Sequence, residues 1–150
     1  KKIKLDQTRS AFKAARELGM MTIANVVLGF PGETEQTALE TINFIKELNP
    51  GDVGFYIATP YPGTPLYELV KQSGWLKTTD FNHYDTATPT FETPFLSMEK
   101  LREIRYKALQ QFYLRPRYVL GMLKRGGIYG ISSVKTSAAY LLRALHVKLS

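Results

Sequence analysis

The sequence predicts an α/β fold built around parallel strands. Three observations carry this prediction. Two short apolar runs rich in β-branched residues each end in a Pro-Gly turn, a threonine after each turn opens a stretch of helical periodicity, and an amphipathic stretch precedes the first run. Hydrophobic residues make up 44% of the 150, enough for a packed core.

Residues 6–18 read as a helix, with Asp6 as the capping residue and an apolar stripe of Ala11, Phe12, Ala14, Ala15 and Leu18. Gly19 stands where a left-handed C′ residue belongs. The run Met20–Phe30 is nearly continuous in apolar character, which predicts a strand buried on both faces, as in a parallel sheet. Pro31-Gly32 ends it. Thr34 caps a second helix, whose Ala38, Leu39, Ile42, Phe44, Ile45 and Leu48 supply an inward face before Asn49-Pro50-Gly51. The second strand, Val53–Thr59, runs into Pro60-Tyr61-Pro62-Gly63-Thr64, where Thr64 is an N-cap and Pro65 takes the first helical position. That helix closes near Gly74. Residues 6–74 therefore spell α-β-α-β-α, and strands joined by such a helix lie parallel with a right-handed crossover. This is the repeat of an α/β barrel or of an open doubly wound sheet. Two parallel strands do not make a sheet covered on both faces, and the chain starts Lys1-Lys2-Ile3-Lys4 without an initiator methionine, so a piece of a larger protein is expected.

Residues 75–96 form an irregular stretch rich in Thr, Pro and aromatics (Trp75, Phe81, Tyr84, Phe91, Phe95). It reads either as cover for a site or as a connector pinned by its aromatics. Ser97 caps a helix over about 98–114, with Leu101, Ile104, Ala108, Leu109 and Phe112 on one side; further helices are expected from Pro116 to about Lys124 and over 133–148. The resulting segments are 1–76, the connector 77–96, and a basic helical region 97–150.

Composition narrows the chemistry. The chain has no cysteine, which excludes disulfides, thiolate nucleophiles and thiolate-held zinc or iron–sulfur clusters on these residues. His83 and His146 lack companions at ligand spacing, and neither histidine neighbours a turn that would expose a nucleophile. Glu33 and Glu35 flank a helix start, where the helix dipole accounts for them. No secretory segment and no long apolar run is present, so a cytoplasmic location is the expectation. Residues 101–150 hold ten Lys and Arg against the single acid Glu103. That basic third suits nucleic acid, an anionic membrane surface, an acidic partner domain, or simply a solvated face.

The strand ends carry the most information, because ligands of parallel α/β folds bind where the βα loops gather. Here the loops are Gly29-Phe30-Pro31-Gly32-Glu33-Thr34 and Thr59-Pro60-Tyr61-Pro62-Gly63-Thr64. Preceded by Val27-Leu28 and followed by Pro65-Leu66-Tyr67, they resemble the fifth and sixth strands of radical S-adenosylmethionine enzymes. The likeness extends over roughly residues 1–120, including Leu96-Ser97-Met98-Glu99 and Phe112-Tyr113-Leu114-Arg115-Pro116-Arg117-Tyr118. It is best to members with an amino-terminal cobalamin-binding domain, such as the anaerobic magnesium-protoporphyrin IX monomethyl ester cyclase family.

The resemblance implies a partial TIM-type (β/α)6 barrel, of which residues 1–76 supply the last two βα units, followed by a mainly helical carboxy-terminal region. It implies S-adenosylmethionine and a [4Fe-4S] cluster as cofactors, with cobalamin as a further one. The cluster's Cys-x-x-x-Cys-x-x-Cys is missing here, so the radical chemistry belongs to the whole enzyme and this chain alone is expected to be inactive. Adenine packing is carried over to Val27 and Gly29, cofactor binding also to Asn25, with Thr59 and Pro60 beside the same pocket and Tyr61 facing substrate or cobalamin. Against the family pattern Gly-x-Ile-x-Gly-x-x-Glu, Asn25 replaces a glycine and Gly32 stands at the acid's position, with Glu33 one place on. The implied reaction is methyl transfer or cyclisation on a small-molecule, lipid or tetrapyrrole substrate, and the implied partner is the remainder of the chain's own barrel. RNA-modifying members add a β-barrel at this end, where this sequence reads as helices. Nucleic acid is therefore not expected, whereas the basic tail helices suit contact with a membrane surface.

Overall fold

The computed structural model describes residues 3–116 together with residues 118, 120 and 121. In chain order the elements are α1 (Leu5–Glu17), β1 (Ile23–Leu28), α2 (Glu35–Leu48), β2 (Asp52–Ile57), α3 (Pro65–Gln72) and α4 (Met98–Tyr113), with a turn of 3₁₀ helix at Phe81–His83. The expected α-β-α-β-α order forms. The chain divides into two compact units, one up to Arg105 and one from Tyr106, so the boundary falls inside α4.

In the first unit β1 and β2 pair in parallel, in register from Ile23 opposite Asp52 to Leu28 opposite Ile57. The 14-residue α2 returns the chain so that both strands run the same way. Burial then alternates. Ala24, Val26 and Leu28 of β1 and Val53, Phe55 and Ile57 of β2 are buried, and with Ala38, Ile42, Ile45 and Leu48 of α2 they form the core. The other face of β1 is open, with Ile23 and Val27 exposed. Its apolar run is continuous across both faces, yet the described residues cover only one of the two.

Two local readings at α1 also change. Lys4, not Asp6, is the capping residue, and its amide donates to the Gln7 side chain at 2.9 Å. Asp6 lies in the first turn, paired with Arg9 at 2.9 Å. The apolar stripe of α1 buries nothing fully. Polar contacts hold α1 to α2 instead: Arg9 grips Glu47 through two hydrogen bonds, at 2.7 and 3.2 Å, and its guanidinium stacks 5.0 Å from the Phe44 ring. Arg16 donates to the Leu48 carbonyl, and Asn49, in the left-handed conformation, ends α2.

After α3 the connector is irregular, as expected, but it is not loose. An antiparallel bridge joins Leu76 to Phe91. Around it Ala58, Val70 and Phe91 form a small apolar cluster, flanked by Leu66, Trp75 and Leu76. Ser97 accepts the Lys100 amide at the start of α4, and Lys100 reaches Glu35 at 2.9 Å, joining the first turns of α4 and α2.

In the second unit Phe112, Tyr113 and Tyr118 meet pairwise at 5.2–5.3 Å between ring centres, and the Arg115 guanidinium lies 4.1 Å from the Phe112 ring. The helix expected over 116–124 is described only in part, and the one over 133–148 lies outside the described residues. No helix among the described residues is long and apolar enough to cross a membrane.

Candidate functional site

The two strand ends are built alike. Each carries an aromatic residue, then Pro-Gly, with the turn closed by a backbone hydrogen bond: the Glu33 amide to the Phe30 carbonyl at 2.9 Å, and the Thr64 amide to the Tyr61 carbonyl at 3.1 Å. Proline at the second turn position and glycine at the third, with φ of 91° at Gly32 and 82° at Gly63, give type II geometry in both. A threonine then caps the following helix. Thr34 accepts from the Thr37 amide and Thr64 from the Tyr67 amide, both at 3.2 Å. Parallel register places the two ends side by side, and the Ala58 amide donates to the Leu28 carbonyl at 2.8 Å.

The predicted site residues divide into three groups. Asn25 and Val27 lie on the open face of the sheet, where Val27 keeps 42% of its surface exposed. Gly29 is buried at the turn out of β1, with φ of 88°. A methyl group added there would stand 2.5 Å from Leu101 Cδ2. Its glycine identity is therefore explained by the backbone and by the packing of α4, before any ligand is invoked. On the second loop the Thr59 hydroxyl donates to the Ile57 carbonyl at 3.1 Å, and Pro60 is fully buried, shaping the turn from inside. Tyr61 exposes 44% of its surface, but its hydroxyl donates to the Tyr84 carbonyl at 3.0 Å.

Four features escaped the sequence reading. The Glu33 carboxylate accepts the Gly29 amide, and burial, only partly offset by that bond, raises its pKa above the usual glutamate range. The Tyr56 ring folds back along β2 over Gly54, occupying the space a side chain there would need. On the open face Asn25 stands opposite Gly54, and Val27 opposite Tyr56. A glycine inside a β-branched strand was the available signal for this arrangement.

The third and fourth features close the outer edge of β2. Arg105 of α4 donates from Nε to the Phe55 carbonyl at 2.8 Å, and the Ile57 amide donates to the Thr86 carbonyl at 2.7 Å. Thr86 has φ of 60°, an outlier for a β-branched residue. Its neighbour Asp85 fixes the bend by accepting the Ala87 and Thr88 amides at 2.9 and 2.7 Å. Burial alone would raise the pKa of Asp85, but these bonds and the Thr88 hydroxyl outweigh it and hold the carboxyl below its ordinary range. Tyr84 is buried, which pushes its phenol upward, and its hydroxyl donates to the Thr78 carbonyl at 3.2 Å.

No protein-family model matches the chain. Among curated proteins, an uncharacterized methyltransferase of Pyrococcus horikoshii is 34% identical over 114 residues, which is 76% of this chain and 25% of that protein. The anaerobic magnesium-protoporphyrin IX monomethyl ester cyclase of Cereibacter sphaeroides is 25% identical over 132 residues, covering 79% of this chain and 21% of the cyclase. The bacteriochlorophyllide d C-12(1)-methyltransferase of Chlorobaculum tepidum is 32% identical over 87 residues, covering 58% of this chain and 19% of its own length. The chain thus spans a quarter or less of the length of each of these relatives. With these relatives and its paired Pro-Gly strand ends, the chain belongs to the radical S-adenosylmethionine superfamily.

Proposed function

We propose that this chain is the carboxy-terminal part of a radical S-adenosylmethionine enzyme, in which residues 1–76 complete a partial (β/α)6 barrel. One observation carries the reading: two identical Pro-Gly turns end adjacent parallel strands, beside a sheet face that stays apolar and open. In this reading the rest of the same polypeptide covers that face and adds its strands along β1, because the outer edge of β2 is already occupied by Arg105 and Thr86.

The residues present suit the adenine of S-adenosylmethionine. Exposed Val27 and Phe30 offer apolar surface at the strand end, and Asn25 offers an amide able to hydrogen bond a base edge. Gly29, Thr59 and Pro60 set the backbone of the pocket from beneath, and Tyr61 holds its rim. The residues present do not suit the iron–sulfur cluster. There is no cysteine, and no group of metal-binding side chains gathers among the described residues. The cluster is therefore assigned to cysteines elsewhere in the full-length protein, where it would supply the electron for cleaving S-adenosylmethionine, and this chain alone is inactive.

The names of two relatives favour a tetrapyrrole over a lipid or other small molecule as substrate, with methyl transfer or cyclisation as the reaction. Cobalamin as a second cofactor, the connector 77–96 as cover over the site, and membrane-surface contact by the basic region 97–150 of a cytoplasmic protein belong to the same proposal. The test is the native reading frame, expressed whole, reconstituted with iron and sulfide without oxygen, and supplied with a one-electron reductant such as dithionite. It is expected to carry Cys-x-x-x-Cys-x-x-Cys upstream and to release 5′-deoxyadenosine from S-adenosylmethionine, whereas residues 1–150 alone do neither. Absence of the cysteine motif overturns the reading.

A further inference from the structure

Residues 78–90 are fastened at the carboxyl end of β2 by backbone and tyrosine hydrogen bonds. The Thr86 carbonyl takes the Ile57 amide at 2.7 Å, on the strand edge opposite β1. The Tyr61 hydroxyl donates to the Tyr84 carbonyl at 3.0 Å, and the two rings meet at 5.9 Å. Tyr84 in turn ties its own hydroxyl to Thr78 and sets its ring edge-on to Phe81 at 5.1 Å. Thr86 is held at φ of 60°, and a strained residue persists only where its surroundings over-determine it. Here the Asp85 turn and the Ile57 bond do so.

We infer that Tyr61 is a positioning residue: it locks segment 78–90 as a fixed wall beside the ligand cleft and, through the same bond, anchors loop 59–61. It does not itself contact the ligand through its hydroxyl, which is spent on Tyr84. The inference rests on the functional reading above, since the ligand lining that wall is S-adenosylmethionine. Thr59 and Pro60 precede Tyr61 directly, so a loosened Tyr61 frees one end of the loop it shares with them, while the Thr59 hydroxyl still ties the other end to the Ile57 carbonyl.

The test uses the full-length protein, with amide hydrogen exchange over residues 57–90 and equilibrium dialysis of S-adenosylmethionine. Tyr61→Phe removes one hydroxyl and keeps the ring. It should speed exchange at Ile57 and across 78–90 by about five-fold, the factor one neutral hydrogen bond allows, and weaken S-adenosylmethionine by a similar factor. Tyr84→Phe cuts the second tie, leaves the Tyr84 carbonyl in place, and should move both readouts the same way. Faster exchange with unchanged affinity in both variants would reduce the wall to a structural strap and overturn the inference. Unchanged exchange would show that Tyr61 does not hold the segment. If the wild-type protein does not bind S-adenosylmethionine, the functional reading falls, and the ligand-facing role falls with it.

Discussion

The Glu33 carboxylate reaches back four residues to accept the amide proton of Gly29, closing the first strand-end loop on itself. Burial raises this carboxyl, so the native chain keeps the proton to a higher pH than the unfolded chain does. The corresponding stability is fully present below the usual glutamate range and is lost as pH rises through the native value. Glu33→Gln keeps an acceptor and removes the charge. Urea unfolding between about pH 4 and pH 8 should show a flatter profile for the variant. Glu33→Ala leaves a buried amide without its acceptor and should cost about 1–2 kcal/mol.

Gly29 and Gly32 share a positive φ but not a neighbourhood. Gly32→Ala enters open space and should cost about 1–2 kcal/mol, the backbone contribution alone. Gly29→Ala must also displace the buried Leu101 side chain and should cost about 1–3 kcal/mol more. Denaturation midpoints of the two variants, measured side by side, separate the contributions. Equal losses would mean that α4 yields freely.

Thr34 and Thr64 make the same cap at equivalent places in successive βα units. Alanine at either should cost about 1 kcal/mol, with most of the loss recovered by serine. Because the caps lie on different helices and share no partner, the double variant should lose the sum of the two within about 0.5 kcal/mol.

Asp85 is held below its ordinary range by the amides and hydroxyl it accepts, so its contribution is present at neutral pH and lost as pH falls through the depressed native value. Proteolytic nicking within 78–90 should rise in acid before the rest of the chain yields. Asp85→Asn should show much of that susceptibility already at neutral pH.

Arg105→Ala removes the donor to the Phe55 carbonyl and should destabilise the chain by about 1–2 kcal/mol. Lysine should restore little, because its ammonium does not reproduce the planar Nε geometry. Urea unfolding of both variants checks this.

The order of elements, the parallel pairing and both Thr caps were legible because each depends on local residue types: β-branched runs, Pro-Gly turns and capping hydroxyls within four residues. Coverage of the second face of β1 was not legible, because Ile23 and Val27 are as apolar as Val26 and Leu28, and sequence records apolarity without saying which residues cover each side. Asp6 was misassigned as a cap because its partner is Arg9, while the Lys4 amide goes to Gln7. At the strand ends, the Pro-Gly turns were legible from residue type alone. Arg105 and Thr86 were not, since their bonds to Phe55 and Ile57 join residues far apart in sequence. Tyr61 was expected to face substrate or cobalamin. What its hydroxyl does depends on a carbonyl 23 residues away.

The closure of β2 by a guanidinium and a loop carbonyl gives the sheet a direction of growth. A strand arriving from another molecule finds the donor Ile57 and the acceptor Phe55 already engaged on that side, while among the described residues no strand lies along the other side of β1. On the proposed reading the remaining strands therefore extend the sheet from β1, and the seal on β2 keeps the Phe55 carbonyl and the Ile57 amide from pairing with a foreign strand.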